Sequence, residues 1–577
     1  MIKYTPNGEV LNNSNNKKPN IIVILADDMG FSDIGSYGSE IKTPNIDKLA
    51  SNGLSFSQMY NNARCCPSRA SLLTGLSPHQ AGIGHMTGGL TVPGYEGFLS
   101  NNSVTIAQIL KSSGYETIMS GKWHVGDNPQ DEGEPDLPPP MKRGFDNLYG
   151  FGPGCRSYFY SPTMWENDKE VEQENTDFYL TNEITDNAIK MIQKTSNSDK
   201  PFFCYLAYTA PHWPLQAPQS DIEENLGQYM KGWDYTRTAR HEQLKKLKIL
   251  DSKWEITPRD SAVPEWKNSK HQNWEDLRMS VYAAQIKIMD QGIGKLLDTL
   301  ENLKINDNTI IMFLSDNGGC AEFLMEDPDP LNKYKLMDMG AKMTFDGKPV
   351  KVGNDPSINP GPDDTYSSYD VGWANVSNTP FRMYKRWLHE GGISTPFIIH
   401  WPSKIKTPKI IHEPFHITDI TATCIDVAEA KYPSEFNGNT ISPLEGETLL
   451  PLINDIKKKR DKSICLEHEG NKAIREGEWK LVSEFDKPWE LYNINDDRTE
   501  LNDLSQKNPE IVKSMNSKFD DWAKRCNVLP WKDVISLNTK KGAEMITTNG
   551  TFPMHSEHGH SIPIESTLPI NFPKKMD

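Results

Sequence analysis

The sequence predicts an α/β protein: a mostly parallel central sheet covered by helices on both faces, followed by a smaller α+β unit with an antiparallel sheet and one long helix. Three observations predict it. Short, continuous, β-branched runs recur along the chain, as expected of strands buried on both faces. Helical patterns lie between them, which calls for crossover connections and parallel pairing. After a charged break at 455–462 (DIKKKRDK) the style changes to short strands joined by turns.

The first 18 residues are polar and Asn/Lys-rich, as in a flexible lead-in. The run NIIVILA then ends in Asp27 and Asp28. Residues 116–120 run into Gly121-Lys122-Trp123-His124, and 202–207 run on to Ala210-Pro211-His212. Residues 309–314 run into Ser315-Asp316-Asn317-Gly318-Gly319, and 396–400 end at Trp401-Pro402. Apolar residues at helical spacing mark 45–52, 104–112, 181–195 and 279–303. In such folds ligands bind at the carboxyl ends of the strands. Four of the five strands carry polar residues there, so one shared site is expected.

Two segments read as insertions: 215–275, rich in Trp, Lys, Arg and Glu, and 326–375, rich in Pro, Gly and Asp. Each is either a lid or specificity wall, or a surface decoration. The larger unit is expected to span 19–456 and the smaller unit 457–534. In the latter, 463–474, 479–484 and 489–494 read as strands, and 509–526 as an amphipathic helix. Residues 535–577 read as an extended tail.

The chain has 577 residues, long enough for a large core and more than one domain. Its 62 Lys and Arg against 78 Asp and Glu leave a net charge of −16. That balance argues against a nucleic-acid partner, which needs a basic face, and means that an anionic substrate must be drawn by a local basic pocket. No apolar run spans a bilayer and no signal peptide is visible. The expected location is therefore cytoplasmic, or periplasmic or secreted if a native signal has been removed. The eight cysteines are scattered and form neither a disulfide framework nor metal-finger spacing.

The strand-end residues form a chemical set. Asp27, Asp28, Asp316 and Asn317 are hard oxygen ligands of the kind that bind Ca²⁺ or Mg²⁺ and not zinc. Arg69, Lys122, His124, His212 and Lys385 are cationic or protonatable. Beside a divalent cation they suit a tetrahedral oxyanion. Another stretch, Arg64-Cys65-Cys66-Pro67-Ser68-Arg69-Ala70-Ser71-Leu72-Leu73-Thr74-Gly75, reads as a helix stopped by Gly75, with Pro67 in its first turn. Cys65 thus lies at a helix N-terminus, where an anion is favoured, and Arg69 is about one turn away.

This string, C-x-P-S-R-x-x-x-L-T-G, resembles the signature of the Cys-type sulfatases of the alkaline phosphatase superfamily. The resemblance extends over roughly 20–530. It includes Thr43-Pro44-Asn45-Ile46-Asp47, Thr379-Pro380-Phe381-Arg382-Met383-Tyr384-Lys385, Glu390-Gly391-Gly392, Trp479-Lys480-Leu481 and Glu490-Leu491-Tyr492. It implies an alkaline phosphatase-like α/β/α sandwich and hydrolysis of sulfate monoesters.

It further implies that a maturation enzyme oxidises Cys65 to Cα-formylglycine. Ca²⁺, with Mg²⁺ as the alternative, would be bound by Asp27, Asp28, Asp316, Asn317 and the modified Cys65. Arg69, Lys122, His124, His212 and Lys385 would hold the sulfate and move protons. One hydroxyl of the hydrated aldehyde would attack sulfur, His212 would protonate the departing alkoxide, and His124 would take a proton from the second hydroxyl.

A sulfated carbohydrate is the expected substrate, with an aryl sulfate fitting the motifs equally well. A phosphonate monoester or phosphodiester hydrolase is a further alternative, and a non-catalytic sulfated-glycan binder would require a missing core residue, which is not seen. The sequence departs from the family at Ser394, where Arg is frequent, and at His85, which either faces the substrate or is packed or solvated.

Overall fold

The computed structural model describes residues 17–87, 89–90, 92–131, 137–324 and 343–541. Most of the lead-in, 325–342 of the second insertion, and the tail from 542 lie outside the described residues. Four parallel strands carry the site, β1 (Asn20–Ala26), β3 (Glu116–Lys122), β7 (Phe202–Ala207) and β8 (Thr309–Ser315), with β4 (Asn147–Phe151) parallel beside β3 and β5 (Met164–Glu166) and β6 (Lys169–Val171) at the edge beyond it. They belong to an 11-stranded sheet in which β8, β1, β7, β3 and β4 are successive neighbours. In β1, Ile22, Ile24 and Ala26 face one helix-covered core, while Ile21, Val23 and Leu25 face the other. Each buried Ile contributes about 2 kcal/mol, so a continuous apolar run is what a strand between two helix layers requires.

Four of these strands stop level with one another. Ala26 is paired with Ser315, Leu25 with Ala207, and Gly121 with Ala207. The polar residues that follow therefore emerge at one edge. The strand Ser394–His400 lies beside β8 but runs antiparallel to it, so the segment before it, not after it, reaches that edge. This is how Lys385 arrives there.

The sequence reading passes over β2 (Leu54–Tyr60), which pairs with Ser394–His400. Its polar residues mask it, yet they are buried and bonded: Ser57 Oγ meets His412 Nδ1 at 2.9 Å and Gln58 Nε2 donates to the His412 carbonyl at 2.6 Å. The helix expected at 279–303 runs from Gln272 to Asn302. Its first turns lack an apolar stripe and are fixed by tertiary bonds. Asp276 accepts from the backbone N–H of Gly227 and Tyr229 at 2.7 and 2.8 Å. The first insertion contains the helix Gly232–Lys246.

The C-terminal unit is a four-stranded antiparallel sheet backed by the helix Pro509–Arg525. The single strand expected over 463–474 is a hairpin, Ile464–His468 and Asn471–Glu476. Its turn residues Glu469 and Gly470 have φ of 52° and 81°, the backbone of a two-residue hairpin loop. The expected extended tail begins as a helix, Trp531–Lys541, because Trp531 and Val534 pack on Leu90 and Tyr95.

A buried ion cluster joins this unit to the main sheet. Glu390 lies 2.9 Å from Lys480 Nζ and 3.1 Å from Arg498 Nε, and Lys480 also lies 2.7 Å from Glu500. Ser394 Oγ donates to Glu390 at 3.0 Å, and Arg498 Nη2 reaches that hydroxyl at 3.4 Å. The guanidinium near this position comes from Arg498. Among the described residues no helix is long and apolar enough to cross a membrane.

Candidate active site

The helix Cys65–Thr74 starts at Cys65, two residues before Pro67, with extended Arg64 as its N-cap and Gly75 in the left-handed region (φ 70°) as its stop. All ten helix residues are buried, so the helix stands inside the molecule and aims its N-terminus at the strand ends. The sulfur atoms of Cys65 and Cys66 and one ring nitrogen of His124 lie within 4.8 Å of one another. The Cys65 thiol is pushed well below its usual range, first by a hydrogen bond from Cys66. Burial opposes the shift; His124, Lys122 and Lys385 add to it.

Around Cys65 the carboxylates and cations interlock. Arg69, fully buried, donates to Asp316 Oδ2 from Nε at 3.0 Å and from Nη2 at 2.8 Å, and lies 3.4 Å from Asp27 Oδ2. Lys122 Nζ donates to Asp27 Oδ2 at 2.5 Å, and Asp27 holds it above its ordinary pKa against the cost of burial. Lys385 Nζ donates to Asp28 Oδ2 at 2.9 Å and lies 3.3 Å from His212 Nε2. Burial works against the charge on Asp28, but His212 and Lys385 prevail and hold it at about 2. His212 Nδ1 is 2.6 Å from the Trp213 carbonyl, so that nitrogen donates and Nε2 faces the site. Burial lowers both His124 and His212 to about 4.

The oxygen donors fit a hard cation. Asn317 donates to Asp28 Oδ1 at 2.7 Å through its nitrogen, leaving Oδ1 buried and without a partner, as is Oδ1 of Asp27. Burial and the neighbouring Asp27 raise the Asp316 carboxyl to about 8. Such a surplus of buried acid is what a divalent ion relieves. Backbone geometry is special here too. Asp28 and His124 have φ of 62° and 52°, and a Cβ on Gly318 would stand 1.9 Å from the Gly391 carbonyl. Strained positions of about 1–3 kcal/mol each are typical of functional sites.

Every site residue expected from the sequence is present at this edge, with one change of emphasis. Arg69, expected to face the sulfate, is engaged by Asp316 and Asp27. Sequence reasoning missed Glu322 and Arg64. Glu322 accepts from Trp213 Nε1 at 2.9 Å, lies 3.3 Å from Arg64 and 4.0 Å from Lys385. Its signal was its place five residues beyond Asn317, on the segment leaving β8. His85 is half-buried against Trp531 and Glu469.

The sequence profile of the sulfatase family matches residues 19–430, well over half of the chain, and that of the N-sulphoglucosamine sulphohydrolase C-terminal region matches 381–525. The chain is 32% identical to an uncharacterized sulfatase of Schizosaccharomyces pombe, over 86% of this chain and 92% of that protein. It is 33% identical to the arylsulfatase of Klebsiella aerogenes, over 75% of this chain and 91% of that one. Among solved structures, Ps i-CgsB in complex with k-i-k-neocarrahexaose superposes with a TM-score of 0.63 at 27% identity, covering 92% of this chain and 99% of the other. With the fold, the strand-end site and these relatives in agreement, the chain belongs to the sulfatase family, whose members hydrolyse sulfuric esters.

Proposed function

We propose that this sulfatase removes O-sulfate from a sulfated carbohydrate, with Cα-formylglycine made from Cys65 as its reactive group and Ca²⁺ held by Asp27, Asp28, Asp316, Asn317 and the modified Cys65. The observation that carries this reading is the convergence of four oxygen donors, Cys65 and four cationic or protonatable groups at adjacent strand ends. The carbohydrate half rests on the similarity to Ps i-CgsB, solved with a neocarrahexaose. When present, the ion and the hydrated aldehyde supply charge compensation and a hydroxyl nucleophile.

This chain's own residues do the rest. Lys122 and Lys385 bind the sulfate oxygens and offset the charge that develops on them. Arg69 keeps the Asp316 and Asp27 oxygens in place. His212, its Nδ1 tied to the Trp213 carbonyl, takes up a proton at Nε2 when the sulfate anion is bound and delivers it to the departing sugar oxygen, and Lys385 at 3.3 Å shares that donor role. His124, whose Nδ1 has no partner, accepts a proton from the group at position 65. The balance is one water consumed, with the alcohol and inorganic sulfate released.

The test couples mass to turnover. Protein co-produced with a formylglycine-generating enzyme is expected to carry a Cys65 peptide lighter than the thiol form and to release sulfate from a panel of sulfated sugars. Cys65→Ala is expected to lose all turnover. Full activity in that variant would sink the reading.

A further inference from the structure

Beside the carboxylate site lies a second polar cluster that the reaction just described does not use. His85 follows the helix of Cys65, and His468 and Glu469 close the hairpin of the C-terminal unit. His85 Nδ1 is 3.6 Å and His468 Nε2 3.7 Å from Glu469 Oε1, and the two rings are 5.7 Å apart. One ligand atom from each residue falls within 4.8 Å of the others. His468 has no solvent exposure and Glu469 only 3%. Yet both ring nitrogens of His468, and Nδ1 of His85, are buried without a hydrogen-bond partner. Buried donors and acceptors are rarely left so, which points to a missing occupant.

The cluster borders the reaction centre through several links. Arg386, bonded to Glu469, directly follows Lys385. Arg64 directly precedes Cys65 and adds a second positive charge near Glu469 and His85. The backbone of Thr87, two residues after His85, hydrogen-bonds the Cys66 sulfur. Arg386 and Glu469 both hold left-handed backbone, φ 93° and 52°. Trp531 packs edge-on against His85 at 4.9 Å.

The chemistry of the occupant follows from the charges. Arg386 is answered by Glu469 and Arg64 by Glu322. Burial lowers His85 to about 4 and His468 well below its usual value, so both rings are neutral near pH 7. What remains unsatisfied is a set of neutral imidazole donors and acceptors beside a carboxylate. A hydroxyl both gives and takes a hydrogen bond and matches such a set, whereas an aromatic ring would satisfy none of it. A divalent cation would have to sit against the guanidiniums of Arg386 and Arg64.

We propose that His85, His468 and Glu469 form the leaving-group pocket of this sulfatase and bind hydroxyl groups of the sugar that carries the sulfate. The proposal rests on the reading of Cys65 as the reaction centre. Arg386 is a positioning residue that aims Glu469.

The test uses the full-length protein with the Cys65 aldehyde verified by mass. Monosulfated hexoses and N-acetylhexosamines are screened, and kcat/KM for the best one is compared with that for 4-nitrophenyl sulfate. His85→Ala and the milder His85→Asn are expected to lower the sugar-to-aryl ratio at least tenfold, with the melting midpoint kept. His468→Ala, in the fully buried position, is expected to act in the same direction where it folds.

A ratio unmoved in both folded His85 variants overturns the proposal. So does turnover of the nitrophenyl ester with none of the sugars, or a stoichiometric transition metal that is lost in His85→Ala. If aldehyde-bearing protein turns over neither substrate class, the reading of Cys65 falls, and the pocket with it. That result is distinct from nitrophenyl turnover with a failed ratio.

Discussion

Lys122 Nζ stands 2.5 Å from Asp27 Oδ2, and neither side chain has any solvent exposure. With Arg69 on Asp316 and Asp27, two fixed cations already answer part of the buried acid. Chelation of the proposed Ca²⁺ is therefore expected to abolish turnover while the fold persists, with a lowered melting midpoint. Calcium in excess is expected to restore both, since an ion at 1,000 times its Kd adds about 4 kcal/mol to the folded state. Thermal melts and nitrophenyl sulfate turnover, with and without EGTA, are the check. Full activity after dialysis to metal-free protein would contradict the ligand assignment.

With His212 as the proposed general acid, its importance should scale with the basicity of the leaving oxygen. His212→Gln is expected to cost about 100-fold or more on a sugar sulfate, in line with the usual worth of a general acid, and far less on 4-nitrophenyl sulfate, whose phenolate departs unaided. Equal losses on the two would assign His212 to sulfate binding.

The ion cluster around Glu390 sets a pH dependence of stability. Burial opposes its charge, but Lys480 and Arg498 hold its carboxyl at about 2, below the ordinary 4.5. A depressed carboxyl stabilises the fold above the unfolded value and loses that contribution as pH falls toward the folded one. Glu390→Gln is expected to cost about 3 kcal/mol at pH 7. The gap to the parent protein should shrink as pH drops below about 4.5. Denaturant midpoints of both proteins from pH 7 to 3 would show it; a gap of constant size would mean that the pair contributes through shape alone.

Most of the parallel core was legible because β1, β7 and β8 are continuous apolar runs, and the candidate site because the predicted runs end in residues with no structural reason to cluster; β4, with Asn147 and Gly150 in its five residues, was passed over. The parts that were not legible depend on distant partners. β2 hides its strand character behind Ser57 and Gln58, which His412 satisfies. The direction of Ser394–His400 is set by pairing with β8, which nothing within its own residues encodes. Glu322 and Glu469 become meaningful only when Arg64, Arg386 and Trp213 surround them. The Glu469–Gly470 turn was overlooked because Glu takes the left-handed position that Asn or Asp usually occupies.

On the proposed conversion of Cys65 to formylglycine, its burial imposes a deadline. Its side chain is 2% exposed, so an oxidising enzyme has no access to it once the sheet has closed. β7, β8 and the segment bearing Lys385 all follow it in the chain, and the hairpin at Glu469 comes later still. At roughly 5–20 residues per second of synthesis, the open interval lasts on the order of tens of seconds. The proportion of working enzyme then depends on a race between maturation and folding, and a slower-folding variant with the same site would yield the better-matured preparation.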